Sequence, residues 1–202
     1  MTPGLERLRV FLEGLRSQIY PEPEGAESQD IIRHMVAQVL DLTKLAPGAR
    51  ILDLGCGKGL ALCLFGEAGM RATGITLGSD ARHCRDKGLD VIEADFSFLD
   101  FTDESFDLVW CRQALEHSVF PLFTLSEMRR ILKSKAHAYV EVPAPETACR
   151  HEANPNHYSV FGKAAWLALF AKAGFSSTLV IDINYVVPAG PDTLWGFLLR
   201  RD

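Results

Sequence analysis

The chain has no apolar run long enough to cross a bilayer. The longest, Ala164 to Ala171, is closed by Lys163 and Lys172 and falls far short of the ~18 residues a span requires. It also has no excess of positive charge. With 21 Lys plus Arg against 26 Asp plus Glu, the formal net charge of -5 sets up no field to draw in a phosphate backbone, so neither a nucleic-acid nor a membrane partner is expected. The five cysteines, Cys56, Cys63, Cys84, Cys111 and Cys149, are odd in number and none are spaced as CxxC. A disulfide framework and a zinc cage are therefore set aside in favour of reduced thiols. The opening MTPGLERLRVFLEG is interrupted by Glu6 and Glu13, so it lacks the apolar centre of a secretion signal, and a cytoplasmic protein is expected.

What is present is ordinary for one globular unit: 202 residues, 48% hydrophobic and 23% charged. Leu5, Leu8, Leu12 and Leu15 recur at helical spacing, which predicts an amphipathic helix capping the core. PEPEGAES, from Pro21 to Ser28, reads as a breaker-rich linker. A second helical pattern from Ile31 to Leu40 is stopped by Pro47 and Gly48. Residues 1–48 are accordingly expected to form a helical cover for the substrate, and 49–202 the core.

From Arg50 the pattern changes to short apolar runs alternating with helical segments: ILDLG, a helix through Ala68, RATGIT, a helix through Lys87, and VIEAD. It continues with FDLVWC, a helix from about Pro121 to Lys133, AYVEVP, and a helix from about Lys163 to Ala173. Such alternation predicts an α/β fold with a parallel sheet and crossover helices. Thr178 to Val187 and Leu194 to Arg200 are joined only by PAGPDT, too short for a crossover, so an antiparallel hairpin should end the chain.

The chemistry concentrates at ILDLGCGKG, Ile51 to Gly59, a buried strand feeding a glycine-rich turn and a helix. Glycines permit positive φ and close backbone approach, and a helix start offers unpaired N–H groups to a ligand. Asp53 before the turn and Gly59 after it strengthen a nucleotide-type reading over a plain reverse turn. A nicotinamide-binding loop would need its third glycine at position 60, which is Leu60.

With these residues the chain resembles the class I S-adenosylmethionine-dependent methyltransferases, from about Arg50 to Arg200. Further pieces fall in order: GITLGSD, EADF at Glu93 to Phe96, FDLVWCRQALEH at Phe106 to His117, and EMRRILK leading into YVEVPAP. The resemblance implies a Rossmann-like three-layer sandwich whose mostly parallel seven-stranded sheet carries an antiparallel C-terminal hairpin strand. It also implies S-adenosylmethionine as cofactor. Gly55, Cys56 and Gly57 would wrap its methionine end, with Asp53 supporting the loop and Cys56 as small filler. Gly59, Thr76 and Leu77 belong to the same implied cofactor site. Asp95 would take the adenine amino group, Phe96 pack on the ring, and the Cys111 carbonyl face the methyl group. One departure stands out: most members carry an acid at the end of the second strand to grip the ribose hydroxyls, and Thr76 occupies that place.

The implied reaction is in-line displacement of the sulfonium methyl by an O, N, C or S atom of a small or medium acceptor, helped mainly by positioning. A base would assist where a proton must leave, and histidine suits neutral pH. His117 after the fourth strand and His157 in the long segment from Pro143 to Gly162 are the catalytic candidates. Arg112, His151, Tyr158 and Tyr20, just before the linker, are the substrate-binding candidates. Glu116 beside His117 is not expected to bind metal, because neighbours on a helix point apart. No Asn-Pro-Pro-Tyr type motif follows the fourth strand, which argues against amino methylation of nucleic acid. Thr76 and the lack of an evident base leave open a contrasting reading, a catalytically silent interaction or cofactor-binding module. The oligomeric state is not legible.

Overall fold

The computed structural model describes residues 2–16 and 25–202. Two helices, α1 (Pro3–Arg16) and α2 (Ala26–Thr43), precede the alternating part. That part runs β1 (Arg50–Leu54), α3 (Leu60–Glu67), β2 (Arg71–Thr76), α4 (Gly78–Asp86), β3 (Val91–Glu93) and β4 (Phe106–Arg112). It continues with α5 (Pro121–Ile131), β5 (Leu132–Pro143), α6 (Lys163–Lys172), β6 (Phe175–Val187) and β7 (Gly190–Arg201). The seven strands form one sheet in the order β3-β2-β1-β4-β5-β7-β6. β1 to β5 pair in parallel, while β7 runs antiparallel to both β5 and β6, between which it is inserted. This is the three-layer Rossmann-like α/β sandwich, closed by the antiparallel hairpin strand.

The layers follow from alternation along the strands. Val109 and Cys111 of β4 face a core shared with Leu125, Met128 and Ile131 of α5 and Trp166 and Phe170 of α6. Leu108 and Trp110 face the opposite core, built with Met35, Val36 and Val39 of α2 and Phe65 of α3. β4 is therefore covered on both sides, which is why FDLVWC reads as an unbroken apolar run. Trp110 stacks on Tyr139 of β5, ring centroids 4.4 Å apart.

Four local readings need correction. α1 is helical as expected but buries none of its side chains, so it does not cap the core; its inner leucines face the cavity described below. Ala26 to Ser28, read as linker, form the first turn of α2, since Gly25 stays extended and good helix formers follow. The α5 helix stops at Ile131, and Leu132 already pairs with Phe106. The intervening SKA, Ser134 to Ala136, forms a bulge inside β5, with Lys135 at φ 61°, between the Phe106–Leu132 and Leu108–His137 pairs. At the hairpin only Pro188 and Ala189 stay outside the strands, because β7 begins at Gly190 and pairs with β6 along its length. No helix among the described residues is long and apolar enough to cross a membrane.

Candidate active site

In a parallel sheet the carboxyl ends of the strands open toward one edge, and ligands bind where the strand order reverses, here between β1 and β4. β1 delivers Asp53, 2% exposed, to that edge and then turns at once. The amides of Gly55 and Cys56 both donate to the Ile75 carbonyl of β2, at 2.9 and 3.0 Å. Gly55 (φ 75°) and Gly57 (φ 49°) take the left-handed conformation that the turn demands. A Cβ on Gly55 would lie 2.6 Å from the Ala114 Cβ, so the loop passes against the segment after β4 too closely for any other residue. Gly74 plays the same part on the other side, leaving room for the Cys56 thiol. Burial, reinforced by the charge of Asp53, pushes that thiol far up its scale, so Cys56 is a neutral filler and no nucleophile.

A cavity of about 390 Å³ opens beside this loop, a size suited to a small-molecule ligand. Asp53, Gly55, Cys56, Gly57, Thr76, Leu77, Asp95, Phe96, Arg112, His117 and Tyr158 all line it. Sequence positions up to 105 apart thus meet in one space. Gly59 does not line it: it caps the start of α3 and lies against α4, where a Cβ would meet Leu89 at 2.5 Å and Cys84 at 3.0 Å. Cys111 is buried with its side chain in the α5 core, away from the cavity. His151 and His157 stand behind the rim, and Tyr20 lies outside the described residues.

Asp95 accepts the Ser97 amide at 2.9 Å on one oxygen, and Arg16 of α1 approaches the other at 3.6 Å. Arg16, with Leu12, Leu15, Ser28 and Ile32, brings the two N-terminal helices to the cavity wall. Sequence reasoning had not placed these residues. Asp80, near the start of α4, also faces the cavity beside Thr76. Gln113 and Asn156 are further lining residues without a sequence signal. Gln113 is held at φ 45° while its amide donates to the Glu141 carbonyl, an uncommon backbone state that turns the chain from β4 into the rim.

At the rim, Leu115–His117 form a single 3-10 turn. The Tyr158 and Ser159 amides both donate to the Glu116 carbonyl at 2.9 Å, pinning the long loop before α6 onto this turn. The His117 Nδ1–H donates to the Asn156 carbonyl at 2.9 Å, and the His157 Nδ1–H donates to the His151 carbonyl at 3.0 Å. Carbonyls only accept, so both imidazoles carry their proton on Nδ1 when neutral. The rings of His117 and His157 meet edge to face, centroids 4.8 Å apart. His151 stacks on His157 and turns its Nε2 to Asp192, 3.0 Å away. Deeper in the wall, Arg112 pairs with Glu141, which also accepts the Tyr139 hydroxyl at 2.6 Å.

Known proteins share parts of this sequence and its fold. A methyltransferase-domain family model matches residues 52–140, and a protein-L-isoaspartate(D-aspartate) O-methyltransferase model matches 20–78. The chain is 31% identical over 147 residues to a 24-methylenesterol C-methyltransferase 2 of Oryza sativa subsp. japonica, covering 68% of this chain and 40% of that one. It is 34% identical over 99 residues to a ubiquinone biosynthesis O-methyltransferase of Methylococcus capsulatus, covering 45% and 41%. The chain thus spans about two fifths of the length of these relatives. A SAM dependent methyltransferase from Archaeoglobus fulgidus shares the fold, with a TM-score of 0.69 at 18% identity over 86% of this chain and 95% of the other. With its β7 insertion and its glycine turn after β1, and a methyltransferase-domain match over residues 52–140, the chain has the fold of the class I S-adenosylmethionine-dependent methyltransferases.

Proposed function

We propose that this protein transfers a methyl group from S-adenosylmethionine to a small or medium-sized acceptor. One observation carries the reading: the glycine turn, the Asp95–Phe96 wall and the His117 rim border a single cavity, so a cofactor site and an acceptor site are continuous. The residues present suit the cofactor. Asp53, Asp80 and Asp95 offer carboxylates toward an ammonium, hydroxyl or amino donor, Phe96 offers a ring face, and the left-handed glycines leave bare backbone at the wall.

When bound, the cofactor supplies an electrophilic sulfonium methyl. The protein's part is chiefly to hold the two partners in line, worth roughly 7–11 kcal/mol in well-oriented systems. In this assignment Asp53 and the backbone of Gly55 to Gly57 grip the methionine end, Thr76 and Leu77 border the ribose, and Asp95 and Phe96 take the adenine. Arg112 and Tyr158 border the acceptor, and His117, backed by His157, meets the acceptor atom that loses a proton. α1 and α2 cover the cavity. The acceptor is a small molecule and the methylated atom an oxygen, nitrogen or carbon; the named relatives include both a C- and an O-methyltransferase. All five cysteines are free thiols, in keeping with a cytoplasmic setting.

Calorimetric titration with S-adenosylmethionine and with its demethylated product tests this directly. Binding of both is expected. Absence of heat with either ligand would overturn the reading, and binding of both without methyl gain in any metabolite pool would favour the silent cofactor-binding module.

A further inference from the structure

Three adjacent strands, in the sheet order β3-β2-β1, each bring a carboxylate to the cavity at or just beyond their carboxyl ends. β1 carries Asp53, β3 is followed by Asp95, and the acid after β2 is Asp80, on the first turn of α4. Neighbouring strands are about 4.8 Å apart. A nucleoside lying along this edge, with its methionine end at Asp53 and its adenine at Asp95, therefore has its ribose at β2. β2 itself ends in Thr76, whose single hydroxyl holds a diol less firmly than a carboxylate would.

The Asp80 side chain stands half-buried at the cavity wall and, among the described residues, its carboxylate has no hydrogen-bond or ion-pair partner. A partly desolvated carboxylate can only accept, so it is short of donors there. Burial chiefly, and the charge of Asp80 in part, push up the Cys56 and Cys84 thiols, which places that charge close to the glycine turn as well as to Thr76. Glu93, the other acid near the end of β2, is engaged elsewhere. It accepts the Gly78 amide at 3.2 Å and the Arg85 guanidinium at 2.9 Å, and it does not line the cavity. This clamp ties β3 to the first residue of α4. With Gly78 at φ 62°, it fixes the short turn that brings Asp80 back beside Thr76.

We propose that Asp80 takes the place of the acid missing from the end of β2 and accepts hydrogen bonds from the ribose hydroxyls, with Thr76 as the weaker second partner. A ribose presents two adjacent hydroxyl donors to the two oxygens of a carboxylate, so the contact is bidentate. Selectivity follows, because a ligand without those hydroxyls leaves the carboxylate unpaired in the wall. This role for Asp80 rests on the S-adenosylmethionine reading and adds to it the residue that recognises the sugar. As an acid in the first turn, Asp80 also suits the positive end of the α4 dipole, so the test must read sugar recognition and not stability alone.

Calorimetric titration of the full chain with the demethylated cofactor, S-adenosylhomocysteine, and with its 2′,3′-dideoxy analogue supplies that reading. The wild type is expected to bind the ribose form at least about 10-fold more tightly, as suits hydrogen bonds to a charged group. Asp80→Ala should lose about 10- to 100-fold in affinity for the ribose form and stay within a few-fold for the dideoxy form, so that the preference collapses. Thr76→Glu placed in the Asp80→Ala background should restore the preference, and Glu93→Gln should keep it. A preference that survives in Asp80→Ala, with only the melting temperature lowered, would reduce the acid to a helix stabiliser and overturn its role. So would a wild type that binds both ligands equally; either result leaves the cofactor reading intact. No binding of either ligand to the wild type would instead remove the cofactor reading itself, and the role of Asp80 with it.

Discussion

Arg112 and Glu141 are register partners on β4 and β5, and their side chains meet with Nε 2.7 Å from Oε1 while 8% and 0% exposed. Neither atom has an aligned hydrogen bond, so the contact is a charge pair more than a directed bond. Burial pushes the Glu141 carboxyl up, against the opposing pull of Arg112 and Tyr139. Desolvating two charges offsets much of their attraction, whereas removing one partner strands the other.

Glu141→Ala is therefore expected to lose about 3–5 kcal/mol of stability, while the Arg112→Met, Glu141→Leu double replacement loses far less. Denaturant unfolding of the single and double variants checks this. Equal losses would show that the pair does not act as a unit.

The glycine turn separates a packing demand from a binding demand. Gly55→Ala puts a methyl group 2.6 Å from the Ala114 Cβ at φ 75°, so about 1–3 kcal/mol of stability should be lost through overpacking and strain. Gly57→Leu points bulk at the cavity wall and is expected to abolish cofactor binding. Thermal unfolding and cofactor titration of both variants read the two effects, and unchanged affinity in Gly57→Leu would contradict the assignment of the loop.

Replacing His117 or His157 with asparagine should lower turnover by about 100-fold or more while leaving S-adenosylmethionine affinity within a few-fold. Single-turnover rates set beside the dissociation constant measure the split. Wild-type rates in both variants would remove histidine from the mechanism.

Asp192 gives a pH prediction. Burial would raise its pKa, but the Tyr185 and Thr147 hydroxyls and His151 outweigh this and hold it at about 2, below the ordinary 3.8. A depressed carboxylate contributes stability above its unfolded pKa and loses it as pH falls toward the folded one. The wild type should therefore lose stability between about pH 4 and 2 more steeply than Asp192→Asn. Urea unfolding across that range checks it, and parallel curves would count against these contacts.

Much of the fold was legible because its signals are local. Alternating apolar runs and helical spacing marked every core strand, and the short PAGPDT link marked the hairpin, since pairing across a few residues needs little more than a turn. The bulge in β5 was not legible: SKA carries turn-like composition, and only pairing with β4 draws it into a strand. Likewise the start of α2 was hidden in a segment whose proline and glycine content suggested a linker.

By itself the sequence determined the glycine turn after β1, the order of strands and helices, and the absence of a membrane-length helix, all properties of residues close along the chain. Tertiary structure alone decided that Arg16 would stand by Asp95, that Arg112 would be buried against Glu141, and that His157 would come to Glu116 and His117. Those meetings depend on how a twisted sheet and a pinned loop bring distant segments together, and no periodicity within a single segment encodes that distance.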